Sequence, residues 1–281
     1  MRIAVIGSTG MFGSDLLSLM NAKGIESQGF NRQSLDLEQS AESLAEVFQG
    51  FDAVVNAVAF TEVDRAETET YEANTVNGIY AGLLAQASKI AGARFIHIST
   101  DYVFDGLSAT PYKVNEATNP QTAYGKSKAL GEQLVAESGA DYSILRTAWL
   151  YGANGRCFPR VMSELLLNNG NVRVVSDQFG QPTWTRDLAE MVIQVLKLTQ
   201  MPRIVHAVSS GQASWSDFAK EVARSIGIGA EAVEEIPTGE YPTPAKRPAR
   251  SVLDNSSDVL IPIGNWRERW REAAPEVLRG I

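Results

Sequence analysis

A tyrosine and a lysine one helical turn apart bring a phenol and an ammonium together. Tyr124 and Lys128 stand near the start of a predicted helix, where residues four apart share one face. A phenol with a pKa near ~10 is a poor acid at neutral pH, and a nearby ammonium favours the phenolate and lowers that pKa. The pair is typical of acid–base chemistry, although a surface tyrosine and a solvated lysine would show the same spacing.

Two hydroxyl side chains stand where the predicted strand 95–99 ends. The hydroxyl of Ser99 or Thr100 could donate a hydrogen bond to a substrate carbonyl oxygen as negative charge develops there. Successive strand residues point to opposite faces of the sheet, so this periodicity does not decide whether Ser99 or Thr100 points toward a ligand.

The few histidine and cysteine residues lie too far apart in the sequence to predict a metal site or a Ser/His hydrolase. His97 is predicted to be a buried structural residue rather than a catalyst, and His206 also lies in a strand. With these two histidines and the single Cys157, we predict no metal cluster and no Ser/His hydrolase set. A lone cysteine also excludes an internal disulfide.

Net charge and hydropathy argue against nucleic acid and membrane as binding partners. The formal net charge of −8 argues against a nucleic-acid surface, which needs a basic stripe. No apolar stretch approaches the ~20 residues of a membrane span, and no charged leader precedes the first strand. We therefore expect a cytoplasmic protein that binds neither membrane nor nucleic acid.

Three glycines spaced three apart follow the short apolar run 3–6. In a strand–turn–helix, Gly7 permits a tight turn, Gly10 lets a pyrophosphate approach the backbone, and Gly13 allows the helix to pack closely. This context favours a dinucleotide over a plain loop. The residues of this segment predicted to contact the dinucleotide are Gly7, Thr9, Gly10, Met11, Phe12 and Gly13.

Strand and helix patterns alternate along the first two thirds of the chain. Such alternation predicts an α/β fold of the Rossmann type, a doubly wound parallel sheet that binds ligands at the carboxyl ends of its strands. The predicted strands span residues 3–6, 25–30, 53–56, 95–99, 142–146, 172–175 and 204–208, and the predicted helices lie near 11–20, 44–48, 71–91, 124–138, 158–167, 187–198, 218–226 and 266.

The alternation of strand and helix patterns loosens after Gly152. Ser214 and Asp217 resemble the start of an amphipathic helix, and the prolines between Pro237 and Pro248 predict irregular chain up to the final helix. We predict that residues 1–150 with 178–208 form an NAD(P)-binding Rossmann domain. Residues 151–177 with 209–281 are predicted to form a smaller substrate-binding lobe.

The end of the second predicted strand bears on the choice of cofactor. A carboxylate there would bind the ribose of NAD, but this chain has Asn31 and Arg32. Arg32 could accept a 2′-phosphate, which favours NADPH and leaves NADH open, or it could be an exposed loop arginine. Asp36 and Leu37 could contact the adenine, or Asp36 could cap the next helix.

Seven motifs in a fixed order extend this interpretation over essentially the whole chain. Together they resemble the extended short-chain dehydrogenase/reductases, and specifically the dTDP-4-dehydrorhamnose reductase (RmlD-like) family. The motifs are GSTGMFG at 7–13, VNAVAFTEVDRAE at 55–67, STDYVFDG at 99–106, YGKSK at 124–128, RTAWLYG at 146–152, DQFGQPT at 177–183 and RPARS at 247–251.

The resemblance implies roles for particular residues. It implies that Thr100, Tyr124 and Lys128 are catalytic, with Tyr124 protonating the alkoxide formed at C4 of a nucleotide-linked 4-keto-6-deoxysugar. Lys128 would also hold the nicotinamide ribose, and the pathway that the resemblance implies is dTDP-L-rhamnose synthesis. The remaining residues assigned by this resemblance are Ala57, Ala59 and Thr61 in the cofactor cleft, and Tyr102, Trp149 and Arg247 with Thr100 on the substrate side.

One departure leaves the sugar nucleotide open. Members usually carry Asn-Phe where this chain has Cys157 and Phe158. Neither a metal nor an oligomeric state is carried over, and a homodimer stays open. The alternatives are a reductase or epimerase acting on another sugar nucleotide, and a non-catalytic subunit like the regulatory partner of methionine adenosyltransferase.

Overall fold

Strands and helices alternate along the computed structural model, which describes residues 1–281. The strands are β1 (Arg2–Ile6), β2 (Glu26–Phe30), β3 (Ala53–Asn56), β4 (Arg94–Thr100), β5 (Tyr142–Thr147), β6 (Leu150–Tyr151), β7 (Val172–Val175), β8 (Phe179–Gly180), β9 (Thr183–Trp184), β10 (Ile204–His206), β11 (Ser209–Ser210), β12 (Ala213–Ser214), β13 (Val233–Ile236) and β14 (Ile263–Asn265). The α-helices are α1 (Met11–Ala22), α2 (Ala41–Phe48), α3 (Val63–Ala66), α4 (Thr70–Asn74), α5 (Tyr80–Ile90), α6 (Ala123–Glu137), α7 (Phe158–Asn169), α8 (Thr185–Lys197), α9 (Trp215–Ser225) and α10 (Trp266–Val277).

Six parallel strands form the central sheet in the order β2-β1-β3-β4-β5-β10. The chain moves outward from β1 to β2, then crosses to the other side of β1 and continues through β3, β4 and β5. The loops after β1 and β3 therefore leave the sheet in opposite directions, which opens a crevice at its carboxyl edge. The predicted Rossmann-type fold is confirmed.

Alternating residues of β1 belong to two different apolar cores. Ile3 and Val5 pack with residues of α1 and α8 on one face, and Ala4 and Ile6 pack with residues of α2 and α5 on the other. All four side chains are at most 2% exposed. Helices thus cover both faces of the sheet, as expected for parallel strands.

A third core lies among the elements that follow the sheet. Phe218 of α9 is fully buried, and its ring packs against those of Tyr151, Phe158, Trp266 and Trp270 at centroid distances of 5.3–6.0 Å. The cluster joins α9 and α10 to the chain that leaves β5. The exact division of the chain into two lobes stays a prediction.

Three local predictions need correction. The predicted helix 71–91 is not a single α-helix, because a π-helical turn, Thr75–Ile79, separates α4 from α5. Helix α9 begins at Trp215 rather than at residue 218, with Ser214 and Asp217 forming a capping box. The proline-rich stretch is not wholly irregular, since it holds a short 3-10 helix, Thr238–Glu240.

None of the helices is both long and apolar enough to cross a bilayer.

Replacing the ring at the centre of the third core should destabilise the protein. Phe218→Ala is expected to lower the free energy of unfolding by about 3–5 kcal/mol, because it leaves a cavity among rings that cannot collapse onto it. Urea unfolding followed by circular dichroism measures the change. The control is Tyr241→Ala, whose side chain is 60% exposed; equal effects of the two variants would contradict the assigned core.

Candidate active site

The turn between β1 and α1 is packed too tightly for side chains at two of its glycines. Gly7 has φ = +85°, and a Cβ there would lie 2.9 Å from the carbonyl carbon of Ala57. A Cβ on Gly13 would lie 2.3 Å from the carbonyl oxygen of Gly7. Glycine at these positions brings the start of α1 against β1 and against the loop after β3.

Four backbone amides around the start of α1 have no acceptor within the protein. They belong to Thr9, Met11, Phe12 and Gly13. The first turn of α1 carries no acidic side chain, and Gly10 at the N-cap offers no capping oxygen. Free N–H groups at the positive end of a helix dipole favour an anion such as phosphate.

The segment after β2 leaves one basic side chain free. Asn31 Oδ1 accepts hydrogen bonds from the amides of Gln33 and Ser34 at 2.9 and 3.2 Å, which closes a turn. Arg32 is exposed on this turn and makes no ion pair within the chain. Its guanidinium is therefore available to an anionic ligand.

Asp36 does not cap a helix. Its Oδ1 accepts a hydrogen bond from the amide of Glu38 at 2.9 Å, whereas Ser40 is the N-cap of α2. The alternative that Asp36 caps the next helix is therefore wrong. Asp36 is exposed, and Leu37 is half-buried against the core.

The loop after β3 lies opposite the glycine turn. Ala57 and Ala59 are half-buried, and Thr61 is exposed. The amide of Ala57 donates to the carbonyl oxygen of Ile6 at 2.9 Å, which ties this loop to the end of β1. The loop and the glycine turn thus form the two walls of the crevice at the β1–β3 switch point.

Helix α6 brings the tyrosine and the lysine to the end of β4. Its first turn is capped by Thr122, whose Oγ1 accepts from the amide of Gly125 at 3.0 Å. A Cβ on Gly125 would lie 2.3 Å from the carbonyl oxygen of Tyr102, so only glycine permits this approach. Tyr124 and Lys128 follow on one face of the helix.

Ser99 and Thr100 face different partners. Ser99 Oγ donates to Glu132 Oε1 at 2.6 Å, and this carboxylate is also held by two hydrogen bonds from Arg146 at 2.7–2.9 Å. Thr100 Oγ1 instead donates to Asp101 Oδ1 at 2.9 Å. Ser99 therefore hydrogen-bonds a buried ion pair. Thr100 lies beside Tyr124, whose pKa its hydroxyl lowers.

Burial shifts the pKa values of both acid–base groups in opposite directions. It raises the pKa of Tyr124 to about 12, a change that the nearby Thr100 hydroxyl partly offsets. Burial also lowers the pKa of Lys128 to about 8, against an opposing effect from Glu132. Loss of solvent disfavours the charged form of each group, so the phenol stays protonated at neutral pH.

Lys128 is 1% exposed and has two neighbours on β4. Its Nζ donates to the carbonyl oxygen of Ile98 at 2.6 Å and lies 3.4 Å from His97 Nε2. His97 is buried, as predicted, and its Nδ1 lies 3.2 Å from Asn56 Nδ2. The sequence interpretation missed this contact, although His97 and Ser99 share the strand face that meets α6.

Tyr102 and Arg247 line one cavity of about 60 Å³. The rings of Tyr102 and Tyr124 meet edge to face at a centroid distance of 5.5 Å. One nitrogen of Arg247, Nη2, donates to Asp64 Oδ2 at 2.7 Å, while Nη1 is buried without a partner. The structure thus connects Arg247 to Tyr124 through Tyr102.

Trp149 is the only residue other than glycine with a positive φ, at 45°. Its ring stacks on that of Trp215 with the ring centroids 3.5 Å apart. The ring of Phe158 also packs against Trp215, at a centroid distance of 4.6 Å. A strained backbone held by packing is typical of functional positions. Trp215 and Phe158 were not among the predicted site residues, because stacking across distant elements leaves no local pattern.

The sheet order, the glycine turn and the polar side chains at the carboxyl edge define an α/β protein of the Rossmann type. Comparison with known proteins then narrows the class. The family model described as the RmlD substrate binding domain matches residues 1–280. The chain belongs to this family.

Individual relatives are similar over nearly their whole length. A dTDP-4-dehydrorhamnose reductase of Burkholderia thailandensis is 39% identical over 274 residues, which cover 92% of this chain and 91% of the relative. A dTDP-4-keto-6-deoxy-D-glucose reductase of Streptomyces niveus is 36% identical and covers 98% and 96%. The crystal structure of a dTDP-4-dehydrorhamnose reductase of Bacillus anthracis in complex with NADP is 30% identical, covers 98% and 99%, and superposes with a TM-score of 0.92.

The ion pair behind Ser99 should be costly to break. Glu132→Gln is expected to lower the free energy of unfolding by about 3–5 kcal/mol, because it leaves the Arg146 charge buried without a counter-ion. The side chains of this pair are 9% and 3% exposed. Chemical denaturation measures the loss.

The matched control is Glu234→Gln, which breaks an ion pair with Arg173 whose side chains are 63% and 52% exposed. This change should cost about 0–1 kcal/mol because water screens the pair. Similar losses in both variants would contradict the importance of burial.

Proposed function

We propose that this chain is an NADPH-dependent oxidoreductase that reduces the C4 keto group of a nucleotide-linked 4-keto-6-deoxysugar. The observation that carries the proposal is the convergence of Thr100, Tyr124 and Lys128 at the edge of the sheet that also holds the glycine turn. Membership of the family supports dTDP-4-dehydro-L-rhamnose as the first substrate to test.

The residues around the glycine turn fit a dinucleotide. The free amides of Thr9, Met11, Phe12 and Gly13 would hold its pyrophosphate, and the space beside Gly7 and Gly13 admits no side chain. Asn31, Arg32, Asp36 and Leu37 would contact the adenosine half, with the guanidinium of Arg32 pairing with a 2′-phosphate. Ala57, Ala59 and Thr61 would line the opposite wall of the cleft.

The side chains at the end of β4 supply the proton chemistry. NADPH supplies a hydride when bound. The Thr100 hydroxyl would turn from Asp101 Oδ1 to donate its one hydrogen bond to the substrate carbonyl oxygen, and Tyr124 would transfer its proton to the same oxygen as that oxygen becomes an alkoxide. Because burial raises the pKa of Tyr124 to about 12, the proton is in place at neutral pH.

Lys128 has one role before the proton transfer and one after it. Its amine can hold the hydroxyls of the nicotinamide ribose, and its ammonium form stabilises the phenolate of Tyr124 from one helical turn away. The proton lost by Tyr124 is then replaced from solvent.

The substrate would occupy the side of the site formed by residues 151–177 and 209–281. Tyr102 and Arg247 support binding of the nucleotide-linked end, since Arg247 has a buried nitrogen without a partner. Trp149 would pack on the sugar. Two relatives that act at C4 of different dTDP sugars support the position of reduction more strongly than the identity of the sugar.

Removing the proton donor should abolish most of the activity. We expect Tyr124→Phe to reduce kcat by about 10²–10⁴-fold, since the alkoxide loses its positioned acid. NADPH consumption with dTDP-4-dehydro-L-rhamnose, with dTDP-4-keto-6-deoxy-D-glucose as a second substrate, measures the rate. The product is analysed to separate reduction from epimerisation.

Tyr71→Phe is the matched control, because the Tyr71 side chain is 84% exposed. It should retain the parental rate. No turnover of either sugar by the parent chain, or full activity of Tyr124→Phe, would refute the proposed function.

Arg32 provides a test of cofactor preference. Arg32→Ala is expected to raise the Kd of NADPH roughly tenfold to a hundredfold and to leave that of NADH nearly unchanged, because only NADPH carries the 2′-phosphate. Fluorescence titration of the reduced cofactors measures both constants. Arg271→Ala, an exposed arginine on α10, is the control; equal weakening of both cofactors by Arg32→Ala would reject the contact.

A further inference from the structure

Lys128 faces a buried chain of hydrogen bonds whose donors and acceptors can be assigned one by one. The chain runs from the amide of Val58 through Asn56 and His97 to Lys128. Asn56 and His97 are 1% and 0% exposed. No solvent is therefore available to correct a mismatch within the chain, and each proton must have a definite place.

The backbone fixes the orientation of the Asn56 amide. The N–H of Val58 donates to Asn56 Oδ1 at 3.0 Å, so this atom is the carbonyl oxygen and the other is the NH2 group. Asn56 Nδ2 then donates to His97 Nδ1 at 3.2 Å. His97 Nδ1 must be an acceptor, and the single proton of the neutral ring sits on Nε2.

His97 is held in its neutral form. Burial is the main cause that lowers the pKa of His97 well below its usual value, and a positive charge on Lys128 lowers it further. Its ring also lies nearly parallel to that of Phe95, with an interplanar angle of 12°. The N–H on Nε2 consequently points toward Lys128 Nζ, 3.4 Å away.

An ammonium at Lys128 does not suit this arrangement, because two donors would face each other. An uncharged amine does suit it: one N–H donates to the carbonyl oxygen of Ile98 at 2.6 Å, and the lone pair accepts from His97. The charged and titratable groups around Lys128 are His97 from β4, Tyr124 and Glu132 from its own helix, and Arg146, which neutralises Glu132.

We propose that His97, oriented by Asn56, is a positioning residue that opposes the ammonium form of Lys128. This inference rests on the proposed function for its consequence: where the ammonium is opposed, less positive charge faces Tyr124, so its phenolate is not favoured and the phenol keeps its proton until hydride transfer. Once the phenolate has formed, its negative charge favours the ammonium over the constraint of His97.

The tautomer of His97 is directly measurable. The chain has two histidines, so a long-range 1H–15N spectrum of the parent protein shows two rings, and His206→Gln assigns them. We expect His97 to be the neutral Nε2–H tautomer throughout the neutral pH range. An Nδ1–H tautomer or an imidazolium would overturn the proposal. The measurement needs no turnover, so its failure and failure of the proposed function are distinguishable.

A substitution at Asn56 should move the proton of the His97 ring from Nε2 to Nδ1. In Asn56→Asp the carboxylate can still accept from Val58 but now also accepts from His97 Nδ1–H, which turns the lone pair of Nε2 toward Lys128. We expect the Nδ1–H tautomer and an increase of about one pH unit or more in the Lys128 titration, followed with lysine labelled at 13Cε.

Two controls separate this effect from a general one. Asn77→Asp introduces the same change at an amide that bonds Phe60 and Ser127 rather than His97, and it should leave the His97 tautomer unchanged. His206→Gln should leave the Lys128 titration at its parental pH. An Asn56→Asp protein with the parental tautomer and titration would overturn the proposal.

Discussion

The close approach of α6 to two neighbouring backbone segments is the constraint on which the site depends. A Cβ on Gly125 would lie 2.3 Å from the carbonyl oxygen of Tyr102, and one on Gly131 would lie 2.2 Å from that of Asn77. Neither carbonyl can move freely, since one follows β4 and the other lies in the π-helical turn. The two glycines therefore set the depth at which Tyr124 and Lys128 enter the site.

One helix carries three ionisable groups at a spacing of four, and burial treats them differently. Tyr124 loses solvent next to a hydroxyl, Lys128 loses solvent next to a carbonyl oxygen and an imidazole, and Glu132 is neutralised by Arg146. The same helical repeat thus yields a neutral acid, a base of lowered pKa and a structural ion pair. Groups whose environments push their pKa values apart are the ones that can divide acid and base roles.

Sequence patterns predicted the features that depend on the periodic spacing of apolar residues along the chain. The strand 53–56 matches β3 residue for residue, and the glycine turn lies where the apolar run ends. The pattern could not choose between Ser99 and Thr100, because the choice depends on Glu132, which lies 33 residues further along the chain. It also missed the π-helical turn, since the segment 71–91 as a whole is rich in alanine and leucine and predicts one continuous helix.

The stacked rings of Trp149 and Trp215 join the end of β5 to the start of α9. Two indoles in face-to-face contact share excited states, so their absorption and emission depend on the distance between them. Any movement of α9 relative to the sheet would alter that coupling before it altered the secondary structure. The absorption and emission of this tryptophan pair thus report the spacing between the sheet and α9.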